Sequence, residues 1–407
     1  MTALRIVLTA LLPFAGGYFM SYLLRAVNAV VAPDLVADFQ LSPGQLGLLT
    51  AAYLGAFALF QLPLGVLLDR YGPRKVQTAL LCLAAAGSAG FALAPDFLGL
   101  FLARAVIGLG FSAGLMSAYK STANWVPIER RALANTAIMS VGGLGVVVAT
   151  EPTHLLVGMI GWRQVFLVFA AVILVVALIL YAVAPPRDTI GEPAPFRAQF
   201  AQMMAIVKTP LFWRLGPLVG LTSGVQIGVQ TLWAGPWARD VLGYGREQVA
   251  HHLLLLAFAF GAGILSVGII ADRLGKRGIS PMQVMLGFNL VYFVAQAIVI
   301  LRIPSLAFPA WVVIAAFGQV AVLSFPWFAA HIGKELAGRA NAAINFSMFV
   351  CAFATQYLIG LIIGLFPAQG PGYSAEGYSW ALGLFLVAQL AAFGWYVAAS
   401  PHKRQMP

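Results

Sequence analysis

Few ionisable side chains interrupt the apolar stretches of this chain, and those few define the chemistry open to it. Arg25, Arg104 and Lys120 supply the cations, while Glu151 and His154 stand three residues apart in a single apolar run. A charge placed mid-span costs at least about 2.5–3.5 kcal/mol, so each is a candidate functional group. The planar fork of Arg25 can hold a carboxylate by two parallel hydrogen bonds, the competing reading being a structural pair with an acid such as Glu151. Glu151 is the acid best placed to carry a proton across lipid, its rival role being a permanent salt bridge to Arg25 or Arg104. His154 lies on nearly the same face and is read first as a helix-packing group, then as a proton relay. Lys120 is close enough to the end of its run to snorkel to water.

The second half of the chain offers polar groups without central charge: Gln226, Gln230, Asn289, Gln296, Gln319, Asn345 and Gln356. Gln226 and Gln230 are one helical turn apart, with Trp233 close by, which makes a wall for a polar ligand. For any single glutamine the alternative is a hydrogen bond between helices. A charged half facing a neutral half suits a ligand with an anionic head and a polar or apolar remainder.

These groups must be positioned by membrane helices. Of 407 residues, 61% are hydrophobic and 9% charged, against the roughly 25% charged of a soluble domain. Mean hydropathy is +0.90. Long apolar runs predict helices near 7–32, 44–68, 76–94, 97–119, 133–157, 164–184, 212–237, 249–271, 281–301, 306–330, 341–366 and 379–398. The expected fold is therefore an all-α polytopic membrane protein of about twelve transmembrane helices. Its expected parts are an N-terminal six-helix bundle over 1–184, a cytoplasmic linker over 185–211 and a C-terminal six-helix bundle over 212–407. Within the linker, 185–195 is polar and proline-rich, and 196–207 has the pattern of an amphipathic surface helix. Glycines such as Gly108, Gly110, Gly142, Gly143, Gly145, Gly261 and Gly263 suit close helix packing in lipid.

Net charge is +11. The basic residues cluster at Arg70/Arg74/Lys75, Arg130/Arg131, Arg187/Arg197/Lys208/Arg214, Arg273/Lys276/Arg277, Lys334/Arg339 and Lys403/Arg404, on one side if the spans alternate. This positive-inside bias expects both termini in the cytoplasm and disfavours a nucleic-acid partner. Cys82 and Cys351 sit in apolar runs, so neither a disulfide nor a metal cluster is expected. The first apolar run outlasts a signal-peptide core and is read as a retained span.

One charged segment occurs twice. Gly65-Val-Leu-Leu-Asp69-Arg70-Tyr-Gly72-Pro-Arg74-Lys75 returns as Gly268-Ile-Ile-Ala-Asp272-Arg273-Leu-Gly275-Lys276-Arg277, with Asp69 and Asp272 separated by 203 residues. A second pair, Glu129-Arg-Arg-Ala-Leu-Ala-Asn135 and Glu335-Leu-Ala-Gly-Arg-Ala-Asn341, is offset by 206 residues. Two pairs in one order at nearly one offset indicate a duplicated membrane unit.

The repeated segments resemble the signature of the major facilitator superfamily, a Gly-x-x-x-Asp-Arg-x-Gly-x-Arg loop after the second helix of each half. That resemblance implies two six-helix bundles, a central site and alternating access. It also implies a gating set of Asp69, Arg70, Arg74, Asp272, Arg273, Arg277, Glu129 and Lys120, whose contacts would break as the cytoplasmic side opens. Tyr22-Leu-Leu-Arg25, with Asn28 and Pro33, resembles the first helix of the organophosphate antiporters and anion:cation symporters, in which an arginine faces the substrate. Lys120-Ser-Thr-Ala-Asn-Trp125-Val-Pro127-Ile-Glu129-Arg130, Pro152 and Gly161-Trp162-Arg163 fit the same pattern. Arg104, Gly108 and Gly110 match a family Arg-x-x-x-Gly-x-Gly motif, which implies either proton movement or bonds to neighbouring carbonyls. The chain departs in two places: Phe111 follows Gly108-Leu-Gly110 where many symporters carry glutamate, and Leu215–Trp237 holds no second arginine.

The expected activity is secondary active transport of a small organic anion, a carboxylate by preference, with protons and in the uptake direction. The substrate-binding set is Arg25, Tyr22, Asn28, Gln226, Gln230 and Trp233, and the proton-coupling set is Glu151, Arg104 and His154. The alternative is proton-coupled efflux of amphiphilic compounds or metabolites, although the Gly-x-x-x-Gly-Pro pattern of drug antiporters is missing from Gly142-Gly-Leu-Gly145-Val-Val-Val-Ala-Thr-Glu151-Pro152. Metal import is disfavoured because Met116, Met139, Met159 and His154 are scattered. His-x-x-x-His does not occur, nor does a phosphate-binding loop, so an enzyme and a cofactor are not expected. A monomer in a bacterial inner membrane completes the reading.

Overall fold

The computed structural model describes residues 3–186, 196–333, 336–367 and 372–398. Most of the proline-rich linker, together with Arg187, Lys334, Glu335, Lys403 and Arg404, lies outside the described residues. Among the described residues, eleven helices are long and apolar enough to cross a membrane. The predicted span 212–237 is helical too, but its run of Thr222, Ser223, Gln226, Gln230 and Thr231 makes it the least apolar of the twelve.

In chain order, α1 runs from Leu4 to Ala26 and continues as Asn28–Phe39. The long helical stretch Pro43–Leu93 is two elements, α2 over 43–71 and α3 over 73–93, because Gly72 turns the chain at φ 76°. That left-handed backbone is one a glycine adopts without penalty. α4 is Phe97–Phe111 followed by Gly114–Trp125, α5 is Ile128–Val148 followed by Glu151–Ile160, and α6 is Trp162–Val183. A short helix, Phe196–Val207, precedes α7, which comprises Pro210–Gly228, a π-helical turn Val229–Trp233 and Ala234–Leu242. α8 is Arg246–Gly275 and α9 is Pro281–Ile300. α10 is Pro304–Phe317, a 3-10 turn Val320–Leu323 and Ser324–Ile332; α11 is Ala337–Ile363 and α12 is Ala375–Ala398. Polar caps start several of these: Asp96 accepts from the Gly99 amide at 2.8 Å, and Ser42 and Gln45 form a reciprocal capping box.

Packing repeats between the halves. α1 packs on α5 as α7 packs on α11, and α2 lies along α11 as α8 lies along α5. Glycines set how close these approaches are. A Cβ on Gly145 would run into the Phe19 carbonyl of α1, and one on Gly263 of α8 into the Ala316 backbone of α10. Gly143 and Gly261, by contrast, have open space beside them, so they do not serve the packing read for them. Cys82 and Cys351 are both free thiols.

The four helices α1, α4, α7 and α10 are each interrupted near mid-length. The breaks fall at Val27, at Ser112–Ala113, at the π turn Val229–Trp233 and at Gly318–Gln319. Interrupted helices in lipid free backbone and side-chain groups only where these are buried in protein or line a cavity.

Candidate functional site

The four breaks surround a cavity of about 130 Å³ between the two halves of the chain. From the first half it is lined by Tyr18, Ser21, Tyr22, Arg25, Phe57, Phe111 and Met116, among others. From the second come Gln230, Thr231, Phe260, Gln319, Asn345, Met348 and Phe349. Thus Arg25, Tyr22 and Gln230 of the expected substrate set border one space.

Arg25 is 8% exposed and its guanidinium is held among aromatic rings. The Cζ atom lies 4.7 Å from the Tyr22 ring centre and 5.1 Å from those of Phe57 and Phe349. Such contacts stabilise a desolvated cation by about 2 kcal/mol or more at best. The Arg25 Nε has no hydrogen-bond partner. Arg104 is fully buried behind Tyr53, 5.1 Å from that ring, and donates through Nη2 to the Arg25 carbonyl at 3.5 Å. Among the described residues no carboxylate lies within ion-pairing distance of either arginine. The pair with Glu151 weighed from sequence is therefore not formed.

The rest of the expected substrate set plays supporting parts here. Asn28 is buried beneath the cavity and donates to the Thr50 hydroxyl at 3.1 Å. Gln226 donates to Gln230 Oε1 at 2.8 Å. Trp233 donates to the Gln356 carbonyl at 3.0 Å, and Gln356 donates to Thr231 at 2.7 Å, which ties the π turn of α7 to α11. Gln319 and Asn345, noted in sequence only as polar helix residues, line the cavity directly.

Glu151 and His154 are separated from the cavity by the break at Ala149–Thr150 and start a new helical segment. Glu151 faces His251 of α8 at 3.6 Å. His154 lines a second cavity of about 250 Å³ with Pro33, Arg239, Tyr244 and Arg246. Arg246 itself pairs with Asp34 of α1 at 2.9 Å. One cluster at this end escaped the sequence reading altogether. Asp240, its side chain 1% exposed, accepts from Arg239 Nε at 2.6 Å, from Arg239 Nη2 at 3.0 Å, from the Tyr378 hydroxyl at 2.9 Å and from the Tyr373 amide at 3.1 Å. Burial pushes the Tyr373 phenol up to about 12, Arg239 pulling it down and Asp240 pushing it up. Asp-Arg neighbours on a helix end carry no sequence signal for such a node; only the return of the segment before α12 creates it.

At the opposite end, Asp69 pairs with Lys120, which also donates to the Leu68 carbonyl at 2.9 Å. Among the described residues, Asp272, its counterpart in the second half, pairs only with the exposed Lys276, at 3.5 Å. Arg70 lies over Tyr71 and Arg74 over Tyr181, while Arg273, Arg277 and Glu129 are exposed. A cavity of about 370 Å³ opens here between Asp69, Lys120 and Arg339, with Phe200 and Met203 of the short helix on its wall. Met116 borders both this space and the central one. Among the described residues no three His, Cys, Asp or Glu come together as a metal site.

The family model of the Major Facilitator Superfamily matches residues 14–355, and the chain belongs to that superfamily. It is an integral membrane transporter. A probable sulfoacetate transporter of Cupriavidus necator is 26% identical, over 85% of each chain. A niacin transporter of Acinetobacter baylyi is 24% identical over 92% of this chain and 83% of its own, and a galacturonate transporter of Dickeya chrysanthemi is 30% identical over 58% and 72%. Among solved structures, the inward-facing, unoccupied form of a bacterial homologue of the lysosomal transporter Spinster superposes with TM-score 0.77 at 20% identity, covering 98% of both chains.

Proposed function

We propose that this protein takes up a small organic anion with protons, by alternating access of two six-helix bundles joined by a linker. One observation carries the reading: the Arg25 guanidinium, buried beside the central cavity, lacks a carboxylate partner. A cation left uncompensated in lipid is costly, and a substrate anion supplies its missing charge. Relatives named for sulfoacetate, niacin and galacturonate, all acids, support the same reading.

Glu151 is assigned the coupling proton, and the pairs Glu151–His251 and Asp34–Arg246 hold the outer end shut while the Asp69 end is open. The clusters of basic residues at that open end support a cytoplasmic placement for it and for both termini, in a bacterial inner membrane. The protein acts as a monomer.

The test is binding and uptake by the purified protein. Organic anions should raise its melting temperature, and cations or neutral amphiphiles should not. Arg25→Ala should abolish the anion effect. Uptake into proteoliposomes should rise with an inward proton gradient. Stabilisation by neutral amphiphiles that survives Arg25→Ala would overturn the reading in favour of efflux.

A further inference from the structure

We infer that the central site is built for a flat aromatic carboxylate of about one ring, bearing a single charge and one polar ring atom or substituent on the side away from the carboxylate. This deepens the anion reading above and rests on it.

The charged end of the site is defined by two unspent donors. Arg25 borders the cavity, and among the described residues it has no carboxylate partner and its buried Nε no hydrogen-bond partner. The Tyr18 hydroxyl donates to the Tyr22 hydroxyl at 3.2 Å, which leaves Tyr22 its own proton to give. An arginine N–H and a phenol O–H side by side form a receptor for one carboxylate.

The walls are rings. Phe57 of α2 and Phe349 of α11 approach to 4.4 Å between centres, tilted by 33°, and both flank Arg25 at 5.1 Å. They come from opposite halves, so a ring inserted beside them touches both at once. Offset stacking and edge-to-face contact favour an aromatic guest over a saturated one of equal size. The volume of about 130 Å³, close to the roughly 150 Å³ of an apolar cavity that holds benzene, leaves room for no guest larger than about one ring.

The polar capacity of the remaining wall is small. Gln230 Oε1 is already occupied by Gln226, which leaves only its Nε2, while the Thr231 hydroxyl is held by the Ile227 carbonyl and Gln356, and Ser21 by Tyr53. Gln319, exposed by the break in α10, and Asn345 of α11 keep their side-chain amides unspent. Three amides, those of Gln230, Gln319 and Asn345, can meet a few polar atoms of a guest, while the aromatic and aliphatic rest of the lining meets none. A sugar acid would bury hydroxyls around its whole ring and leave most of them unpaired, a penalty that a flat aromatic acid avoids.

The experiment measures dissociation constants of the full-length protein in lipid nanodiscs for pyridine-3-carboxylate, benzoate, cyclohexanecarboxylate, galacturonate, sulfoacetate and benzyl alcohol. Benzoate should bind about fivefold or more tighter than cyclohexanecarboxylate, the difference one ring contact supplies. Pyridine-3-carboxylate should equal or exceed benzoate, and Gln319→Ala should remove any excess. Phe349→Leu should bring benzoate down to the cyclohexyl acid, while Arg25→Lys should weaken every acid alike. Galacturonate or sulfoacetate binding as tightly as benzoate overturns the aromatic assignment and leaves the anion site standing. So does equal binding of benzoate and cyclohexanecarboxylate by the unaltered protein. Benzyl alcohol binding as tightly as benzoate, or no acid binding at all, overturns the anion reading itself.

Discussion

Glu151 Oε2 and His251 Nδ1 face each other at 3.6 Å across the boundary between the two halves of the chain. Asp34 and Arg246 bridge the same boundary at 2.9 Å. Both contacts lie at the end where the second cavity is walled by α1, α5, α7 and α8, and under the proposed alternating access both part for a substrate to enter there.

Glu151 therefore carries two assignments, proton carrier and latch, and these can be separated. Glu151→Gln is expected to abolish accumulation driven by an inward proton gradient while substrate counterflow persists. His251→Ala, which releases the latch but keeps the acid, is expected to retain gradient-driven accumulation. Uptake into proteoliposomes with and without an imposed pH gradient reads both, and equal loss in the two variants would reduce Glu151 to a structural role.

Arg25→Met should be more stable than the parent in the absence of ligand and incapable of binding an anion. The unpaired charge costs about 2.5–3.5 kcal/mol, while the aromatic contacts return about 2, so a net gain of about 1 kcal/mol is expected. Thermal unfolding of both proteins without ligand checks this; a lower melting temperature for Arg25→Met would mean that the arginine is itself a structural element.

Gly263→Ala and Gly143→Ala form a matched pair. The first drives a methyl group into the Ala316 backbone and is expected to cost about 1–3 kcal/mol. The second meets nothing within 4 Å and should be neutral or slightly stabilising. Melting temperatures of the purified variants decide, and equal effects would contradict the close approach of α8 and α10.

Asp240→Asn should destabilise by about 1–3 kcal/mol, because the donors of half-exposed Arg239, Tyr378 and Tyr373 lose a buried, charged acceptor. Asp272→Asn, at an exposed pair, should shift stability by no more than about 0.5 kcal/mol. Denaturation of the two variants side by side measures the contrast, and a mild effect at Asp240 would show that Tyr378 and Tyr373 suffice to hold that end of α7.

The sequence by itself determined the membrane helices, the duplication and the short roster of charges, since lipid admits few polar groups and each survivor stands out against an apolar background. Arg25 was legible for that reason, as were Asp69 and Lys120. Tertiary structure alone decided which of them meet. Glu151 meets His251, and not the arginines weighed as its rival partners, where α5 breaks at Ala149–Thr150 ahead of Pro152. Asp240 became a buried node only because the chain returns before α12. Gln319 entered the site through the break in α10, whereas Asn28 and Trp233 turned away to Thr50 and Gln356. Helical periodicity fixes which residues share a face, but which face looks inward depends on partners hundreds of residues away in sequence.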